Sequence, residues 1–304
     1  MTDIAQAAGP GTGPALEPGL PPASGRTQRL RALLRSPSGL IGLILIALLA
    51  VAAVASWLDL LPYDPVAQDP PSRLLSPSAD HLLGTDQFGR DVFSRVAAGV
   101  GNSVLIAVVA VLFASVVGTL GGLVSGFFRG FADTAIGGVA NVLFAFPPLL
   151  LALSLAAVFD RNWFTVAIAI AVVYAPIFIR VTRGPVLSLR EIEYVKAATS
   201  TGQRRIATMF RHVLPNITSL VIVQITLSLS WAVLTEASLS FLGLGTPPPA
   251  PSLGSMIFEA RTLVSIAPWT LYGPGAVVVL LVVGLNLLGD GLRDALDPRN
   301  RGKK

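Results

Sequence analysis

The chain has 304 residues, of which 53% are hydrophobic and 13% are charged, and its mean hydropathy is +0.70. A soluble domain carries about 25% charged residues, so this supply is too small to cover a water-exposed surface. Composition therefore excludes a soluble enzyme, a disordered regulator or a coiled coil as the whole chain, and predicts a polytopic membrane protein. The sequence contains no cysteine, which removes disulfides and thiolate chemistry from consideration.

Runs without charged residues predict the membrane spans, because about 20 apolar residues are needed to cross the hydrocarbon core. A further run, 237–258, contains Gly243, Gly245 and four prolines, so we predict a loop at the membrane surface there. The sequence predicts an all-α polytopic bundle with about six transmembrane helices, at 38–58, 100–124, 134–158, 163–182, 216–240 and 269–290.

The basic residues set the predicted orientation. With the N-terminus inside, 17 of the 22 Lys and Arg residues lie on the inner side, as the positive-inside rule requires. Both termini are then cytoplasmic, and the pI of about 10.1 reflects topology instead of nucleic-acid binding. The other predicted parts are a largely disordered N-terminal tail, an external segment with an interfacial helix, a core of five spans and a C-terminal tail, at 1–37, 59–99, 100–292 and 293–304.

The string HLLGTDQFGRDVFSRVAAG, residues 81–99, ends in an apolar pattern with helical spacing. We predict a short amphipathic helix lying at the interface before the second span, in which Asp91 can pair with Arg95 at i, i+4. An anchor for the bundle is the favoured role of this helix, and direct contact with a substrate is the alternative.

Three glycines recur every four residues in the second span: Gly118, Gly122 and Gly126. This doubled small-xxx-small pattern lets another helix approach closely, which matters because lipid supplies no hydrophobic drive for helix association. We therefore predict tight helix packing on this face, with a hinge as the alternative.

Polar side chains inside spans are costly in lipid and are often functional. Glu236 lies near the external end of the fifth span, where it is either an interfacial carboxylate reaching water or part of a pore or gate. The candidates for a translocation path are Asn141, Gln224, Ser228, Glu236 and Asn286.

The predicted inner loop 183–215 is the most charged stretch of the chain. Pro185 begins a helical pattern that runs to about Ser200, Gly202 marks a tight turn in which a side chain would clash, and a second pattern ends at Pro215. A compact helical pair of this kind suits docking into a groove on a soluble partner, and a solvated connector is the alternative.

Within this loop, KAATSTG followed by nine residues and HVLP resembles the EAA loop of binding-protein-dependent ABC importer permeases, EAA-x3-G-x9-I-x-LP. Lys196 replaces the motif glutamate and His212 the motif isoleucine, while Glu193, one turn earlier, could supply a carboxylate. HLLGTDQFGRDVFSR, EASLSFLGLGTPPPAPSLGSMI and NLLGDGLRDALDPR resemble further blocks of the C-type permease subunits of dipeptide and oligopeptide importers. The resemblance covers about 30–300, with the EAA-type loop at 185–215, and implies coupling to an ATPase through Glu193, Lys196, Ala197, Ala198, Gly202, Arg205, Arg211, Leu214 and Pro215.

The resemblance implies a type I ABC importer permease in a bacterial cytoplasmic membrane, forming half of a translocation path for di- or oligopeptides. The implied partners are a homologous B-type permease, two ATPase subunits or a fused ATPase, an extracytoplasmic binding protein and the lipid bilayer. ATP and Mg would bind the ATPase subunits, and this chain would hold no cofactor and catalyse no bond chemistry. Asp86, Arg90 and Asp91 are possible contacts of the binding protein.

Three alternatives remain at the level of sequence. The same machine could carry nickel chelates, glutathione or glycosides, because permease sequences discriminate poorly between cargoes. A secondary transporter or channel working alone is less favoured, as is a membrane-embedded enzyme, because no nucleophile–base pair or metal set can be assembled. The chain has no GxxxxGK[ST] loop for nucleotide phosphates, so active transport would need a second subunit or an ion gradient.

Overall fold

The computed structural model describes residues 33–34 and 36–296, so most of both predicted tails lies outside the described residues. The regular elements of the described part are all helical, which confirms the all-α prediction. A 3-10 turn spans Pro70–Ser72 and a π turn spans Met209–Val213. The α-helices are α1 (Pro37–Trp57), α2 (Val92–Phe128), α3 (Gly130–Phe144), α4 (Pro148–Val158), α5 (Trp163–Leu189), α6 (Glu193–Ser200), α7 (Arg205–Thr208), α8 (Leu214–Phe241), α9 (Leu253–Ala260) and α10 (Trp269–Leu296).

Five described helices are long and apolar enough to cross a membrane: α1, α2, α5, α10 and the continuous run of α7 and α8. The bent pair α3 and α4 adds a sixth crossing if it is counted as one span. The prediction of about six spans is therefore confirmed, although several boundaries and one span differ from the prediction.

The second span is longer than predicted. The helix expected at the interface before residue 100 is continuous with the span, because 92–128 contains no proline and no polar turn that would end it. Asp91 is the N-cap, and its Oδ2 accepts the backbone N–H of Ser94 at 2.7 Å. The first turns of α2 are buried, so the prediction of a separate, surface-lying helix is wrong.

The predicted third span, 134–158, is divided into α3 and α4, whose axes differ in direction by 93°. The break falls at Pro147–Pro148, because proline lacks an N–H and disfavours the helical conformation in the residue before it. The missing charges marked this run as apolar but carried no information on backbone direction. We refer to 130–158 as the elbow.

Helix α5 runs past the predicted limit of 182 to Leu189, and Pro176 and Pro185 both lie inside it. The expectation that Pro185 begins the loop helix is therefore wrong, and that helix, α6, begins at Glu193. At the far side of the loop no break separates α7 from α8. The N–H of Leu214 donates to the carbonyl of Met209 in the wider π turn just before Pro215, which has no N–H to donate.

The predicted surface loop 237–258 is shorter than expected. Helix α8 extends to Phe241, and α9 begins at Leu253 after a capping box in which Ser252 and Ser255 each bond the other's backbone. The prolines of this run all precede Ser252, so the segment after them forms a helix although it contains Gly254.

Helices α2 and α5 pack closely against each other, as the glycine spacing predicted. A Cβ atom on Gly118 would lie 2.5 Å from the carbonyl oxygen of Ala175, and one on Gly122 would lie 2.6 Å from that of Ile179. Only hydrogen fits between these backbones, so the prediction of close packing is confirmed. The main apolar core surrounds this pair, and a second cluster under α6 comprises Leu123, Phe127, Val186, Val195, Met209, Val213 and Ile217.

Candidate translocation and coupling sites

A cleft of about 750 Å³ lies between the elbow, α5 and α8. Its walls are mainly apolar, and its polar groups come from one face of α8 and from Tyr174 of α5. The hydroxyl groups of Tyr174 and Thr235 lie 3.1 Å apart, and the Nε2 of Gln224 donates to the Oγ of Ser228 at 3.1 Å. The cleft is therefore a membrane cavity of apolar character with a few neutral polar groups on fixed helices.

The five residues predicted for the translocation path do not lie together. Gln224 and Ser228 line the cleft, whereas Asn141 is exposed on α3 and outside the cleft lining. Asn286 of α10 accepts a hydrogen bond from Ser230 at 2.8 Å, on another face of α8. Only two of the five candidates thus share the cavity, since Glu236 is enclosed elsewhere.

Sequence reasoning missed three polar residues that line the cleft: Tyr174, Thr235 and Ser238. A signal existed for two of them. Thr235 and Ser238 follow Ser228 at intervals of seven and ten residues, which places them on the same face of one helix. Tyr174 stands alone within an apolar run of α5, where nothing in the sequence separates it from a core residue.

Glu236 is fully enclosed, with 0% of its surface exposed. Its Oε1 accepts from the hydroxyl of Ser240 at 2.7 Å, and the side chains of Ser103 and Ser252 also face the carboxyl group. Its Oε2 has no hydrogen-bond partner within the described residues. The interpretation of Glu236 as an interfacial carboxylate that reaches water is therefore wrong, because α2 and the residues that cap α9 cover it.

An ionic cluster joins the segment before α2 to α9. Arg90 donates from Nε to Asp86 at 2.6 Å and from Nη2 to Glu259 at 2.7 Å. Arg95 lies near the same two acids, at 3.5 Å from Asp86 and 3.6 Å from Glu259, and donates to the carbonyl of Pro65 at 3.1 Å. Asp86, Arg90 and Arg95 are buried, so their charges are satisfied inside the protein.

Asp91 is not part of that cluster. Its Oδ1 lies 3.0 Å from the Nδ1 of His81, while its other oxygen caps α2. The predicted pairing of Asp91 with Arg95 is therefore wrong, because capping turns Asp91 back towards its own helix and Arg95 turns towards Glu259. Of the candidates for contact with a binding protein, Asp86, Arg90 and Asp91, each has 8% or less of its surface exposed.

The charged loop folds into two short helices, α6 and α7, at the end of the bundle opposite α9. Val195 is the buried residue of α6 and packs in the second apolar cluster, which fixes α6 on the ends of α2, α5 and α8. The opposite face of α6 is exposed. Of the predicted coupling residues, Ala198 and Leu214 are half-buried, and the exposed ones are Glu193, Lys196, Ala197, Gly202, Arg205, Arg211 and Pro215.

The carboxylate that accompanies Lys196 comes from Glu191, and not from Glu193 as the sequence suggested. Lys196 Nζ lies 3.1 Å from Glu191 Oε2, while Arg190 and Arg129 approach Oε1 at 3.1 and 3.6 Å. The hydrogen bond and charge of Lys196 hold the pKa of Glu191 below its usual range, and the two arginines add to this effect. Glu191 thus ties the start of α6 to the ends of α2 and α5.

Gly202 adopts a φ of +85°, which side chains other than glycine rarely accept. A Cβ atom at this position would meet nothing within 4 Å, so the predicted clash is wrong and the constraint is the backbone angle. The next residue, Gln203, contacts the Nε2 of His212 at 3.2 Å. The histidine in place of the motif isoleucine therefore links the turn to the π turn that precedes α8.

A helical membrane bundle with a partly polar cleft, and with an exposed helical pair packed against one end, is the architecture of a membrane transport subunit. The chain belongs to the family of binding-protein-dependent transport system inner membrane components, whose model matches residues 118–302. It is therefore a multi-pass inner-membrane permease subunit of an ABC importer, as the EAA-like loop and the other sequence blocks indicated.

Known relatives resemble the chain over most of its length. The dipeptide transport system permease protein DppC of Alkalihalophilus pseudofirmus is 40% identical over 90% of this chain and 89% of its own. The glutathione transport system permease protein GsiD of Pectobacterium atrosepticum is 40% identical over 85% of both chains. A chain of the MetNI methionine ABC transporter, solved in inward-facing conformations, superposes with a TM-score of 0.55 at 17% identity, covering 67% of this chain and 96% of that one. The last similarity shows the type I importer permease fold alone.

Proposed function

We propose that this permease forms half of a translocation path for di- and oligopeptides, and that a homologous B-type permease forms the other half. The open cleft carries this proposal. The elbow, α5 and α8 border it, and Trp231 in its wall is 62% exposed within the chain. A second permease placed against this side would close the cleft into a path between two subunits.

The proposal assigns α6 and α7 to the ATPase subunits, either two chains or a fused pair, which bind ATP and Mg. The exposed face of α6 is available for docking, and Val195 together with the Glu191 ion pairs holds the helix against the bundle. A displacement of α6 would therefore move the attached ends of α2, α5 and α8. The distribution of basic residues favours a cytoplasmic position for this end and for both termini.

Relatives named for dipeptides and for glutathione support a peptide cargo for this chain. Both compounds contain peptide bonds and carboxylates, which suit a cleft with neutral hydrogen-bonding groups on apolar walls. Glutathione and nickel chelates are the alternative cargoes of the same machine. A binding assay of the partner binding protein with a dipeptide, glutathione and nickel separates these alternatives.

The decisive experiment purifies this permease with its co-expressed partners and measures ATP hydrolysis in lipid. Vanadate-sensitive activity that rises with the binding protein and a dipeptide is the expected result. A chain that purifies alone and transports peptide without ATPase subunits contradicts the proposal and favours a secondary transporter.

A matched pair of variants tests the docking role of α6. Ala197→Trp adds bulk to the exposed face of α6, whereas Leu60→Trp adds bulk at an exposed site near the α9 end of the bundle. We expect the first variant to insert normally and to lose co-purifying ATPase, while the second retains it. Equal retention by both variants would place the docking surface elsewhere.

A further inference from the structure

Arg180 is a charged residue inside a membrane-spanning helix that nothing in the proposed function has yet used. It lies nine residues before the end of α5 at Leu189, which is about 13 Å along the helix axis. Helix α5 has 27 residues and is about 40 Å long, about 10 Å more than the hydrocarbon core, so Arg180 lies near the inner limit of the span. A cation within a span normally faces a cavity or a partner charge.

The side chain of Arg180 lies at the border of the cleft. Its guanidinium carbon is 4.0 Å from the centre of the Phe144 ring, and Phe144 belongs to the cleft wall. On α5 itself, Tyr174 and Ile177 line the cleft, and Arg180, an exposed residue outside the lining, is the i+3 neighbour of Ile177. Arg180 thus lies beside the cleft, at its edge nearest the α6 end of the bundle, in contact with the lining residue Phe144.

The neighbouring charges leave Arg180 available. Arg183, one turn further along α5, donates from Nε and Nη2 to the two oxygens of Asp133 at 2.6 and 2.7 Å. Asp133 also accepts from Ser125, so its hydrogen-bonding capacity is largely used. Within residues 36–296, no carboxylate lies within ion-pair distance of Arg180. Stacking on Phe144 occupies one face of the guanidinium plane and leaves its edge N–H groups free to donate.

We propose that Arg180 is a substrate-binding residue that attracts and holds a carboxylate group of the peptide as it passes through the cleft. A guanidinium edge binds a carboxylate through two parallel N–H···O bonds, and this pairing is strong where water is scarce. The polar side chains of Gln224 and Ser228 on the α8 wall of the cleft are neutral, so they do not compete with Arg180 for a carboxylate. The inference rests on the proposed path and adds the chemistry by which that path would favour anionic groups.

The first test measures the electrostatic potential of the cleft without any cargo. Because the chain has no cysteine, Ile177→Cys introduces a single thiol into the cleft wall one turn from Arg180. The rates at which a sulfonate-bearing and a trimethylammonium-bearing methanethiosulfonate modify this thiol are compared in the assembled complex. Adding Arg180→Gln should lower the anionic-to-cationic rate ratio about fivefold, as expected for a charge at this range in a partly hydrated cavity. Arg180→Lys should preserve the ratio.

Ser238→Cys, which places the thiol in the cleft near the Phe241 end of α8, is the matched control. Its anionic-to-cationic rate ratio should change little when Arg180→Gln is added. If Arg180→Gln leaves the ratio at Ile177→Cys unchanged, or shifts both thiols equally, the proposal is overturned. Arg180→Met provides a second neutral variant in case the glutamine variant fails to assemble with the ATPase subunits.

The second test measures dipeptide uptake at a saturating concentration of loaded binding protein. Arg180→Gln should reduce uptake about tenfold, the effect of losing a charge-assisted bidentate contact, while Arg180→Lys should retain most of it. An equal loss in both variants indicates a packing role and contradicts the proposal. If the unmodified complex takes up no peptide, the proposed cargo fails, and the thiol experiment still decides whether Arg180 makes the cleft attractive to anions.

Discussion

Arg90 and Glu259 are separated by 169 positions in the chain, yet Nη2 of the first lies 2.7 Å from Oε2 of the second. Asp86 and Arg95 complete the cluster around them. Two cations and two anions are balanced there at the point where α9 meets the segment before α2. The α9 end of the bundle is therefore held to the segment before α2 by the carboxylate of Glu259, which is distant in sequence from its ion-pair partners.

Replacing Glu259 by glutamine should destabilise the protein, because two buried arginines would then share the single carboxylate of Asp86. We expect a loss of about 2 kcal/mol, below the cost of breaking a fully enclosed pair since Glu259 is partly exposed. Thermal unfolding in detergent, followed by tryptophan fluorescence, measures this loss. Glu193→Gln, at an exposed acid with no ion pair in the described part of the chain, is the control and should leave the transition unchanged.

Glu236 allows a sharper pair of substitutions. Glu236→Gln keeps the shape and an acceptor for Ser240, and its amide can donate to the nearby serine hydroxyls, so near-normal stability and transport are expected. Glu236→Ala removes the acceptor and leaves a cavity, which should cost about 2–3 kcal/mol. Proteolysis of 242–252 and the unfolding temperature report the difference. We expect the alanine variant to lose transport more than ATPase docking, and an equal loss of docking would assign Glu236 to folding of the whole bundle.

The packing of α2 on α5 predicts that a single methyl group is harmful at Gly122. A Cβ atom there would lie 2.6 Å from the carbonyl oxygen of Ile179, so Gly122→Ala must push the helices apart, at a cost of about 1–3 kcal/mol. Gly138→Ala on α3, where a Cβ meets nothing within 4 Å, should be neutral or stabilising. The unfolding temperature of Gly122→Ala should therefore be lower than that of Gly138→Ala, and equal temperatures would contradict close packing of α2 on α5.

The turn at Gly202 predicts an order among substitutions that depends on backbone angle and not on size. Asparagine tolerates a positive φ, alanine costs about 1 kcal/mol, and the β-branched valine costs more. We therefore expect Gly202→Asn to retain most transport per ATP hydrolysed and Gly202→Val to lose the largest share. Similar losses for asparagine and valine would indicate that the exposed surface of the turn, instead of its angle, is what the ATPase requires.

The sequence was most informative where a single stretch of chain decides the outcome. Charge-free runs located the apolar helices because hydrocarbon excludes charge whatever the fold, and spaced glycines located the α2–α5 contact. The same runs could not show that 134–158 turns by 93°, although Pro147 and Pro148 were visible in it. Length and polarity indicate only that a segment is apolar, whereas the change of direction arises from the missing N–H of proline.

Contacts between distant parts of the chain escaped prediction for a different reason. Asp91 and Arg95 have ideal helical spacing for a pair, but an N-cap and a remote carboxylate each offered a better partner. In the cleft, Gln224 and Ser228 were found because they are polar in an apolar helix. Tyr174 was missed because its hydroxyl gains meaning only when Thr235 is placed opposite it.

The backbone contact between α2 and α5 also constrains how the protein is made. Synthesis delivers α2 first, then the elbow, and only afterwards α5, whose backbone covers Gly118 and Gly122. Until about residue 190 has left the ribosome, that strip of α2 has no protein partner and is covered by lipid or by the insertion machinery. Chains that stop within the elbow therefore lack the backbone that covers Gly118 and Gly122, so the α2–α5 contact forms only after α5 is synthesised.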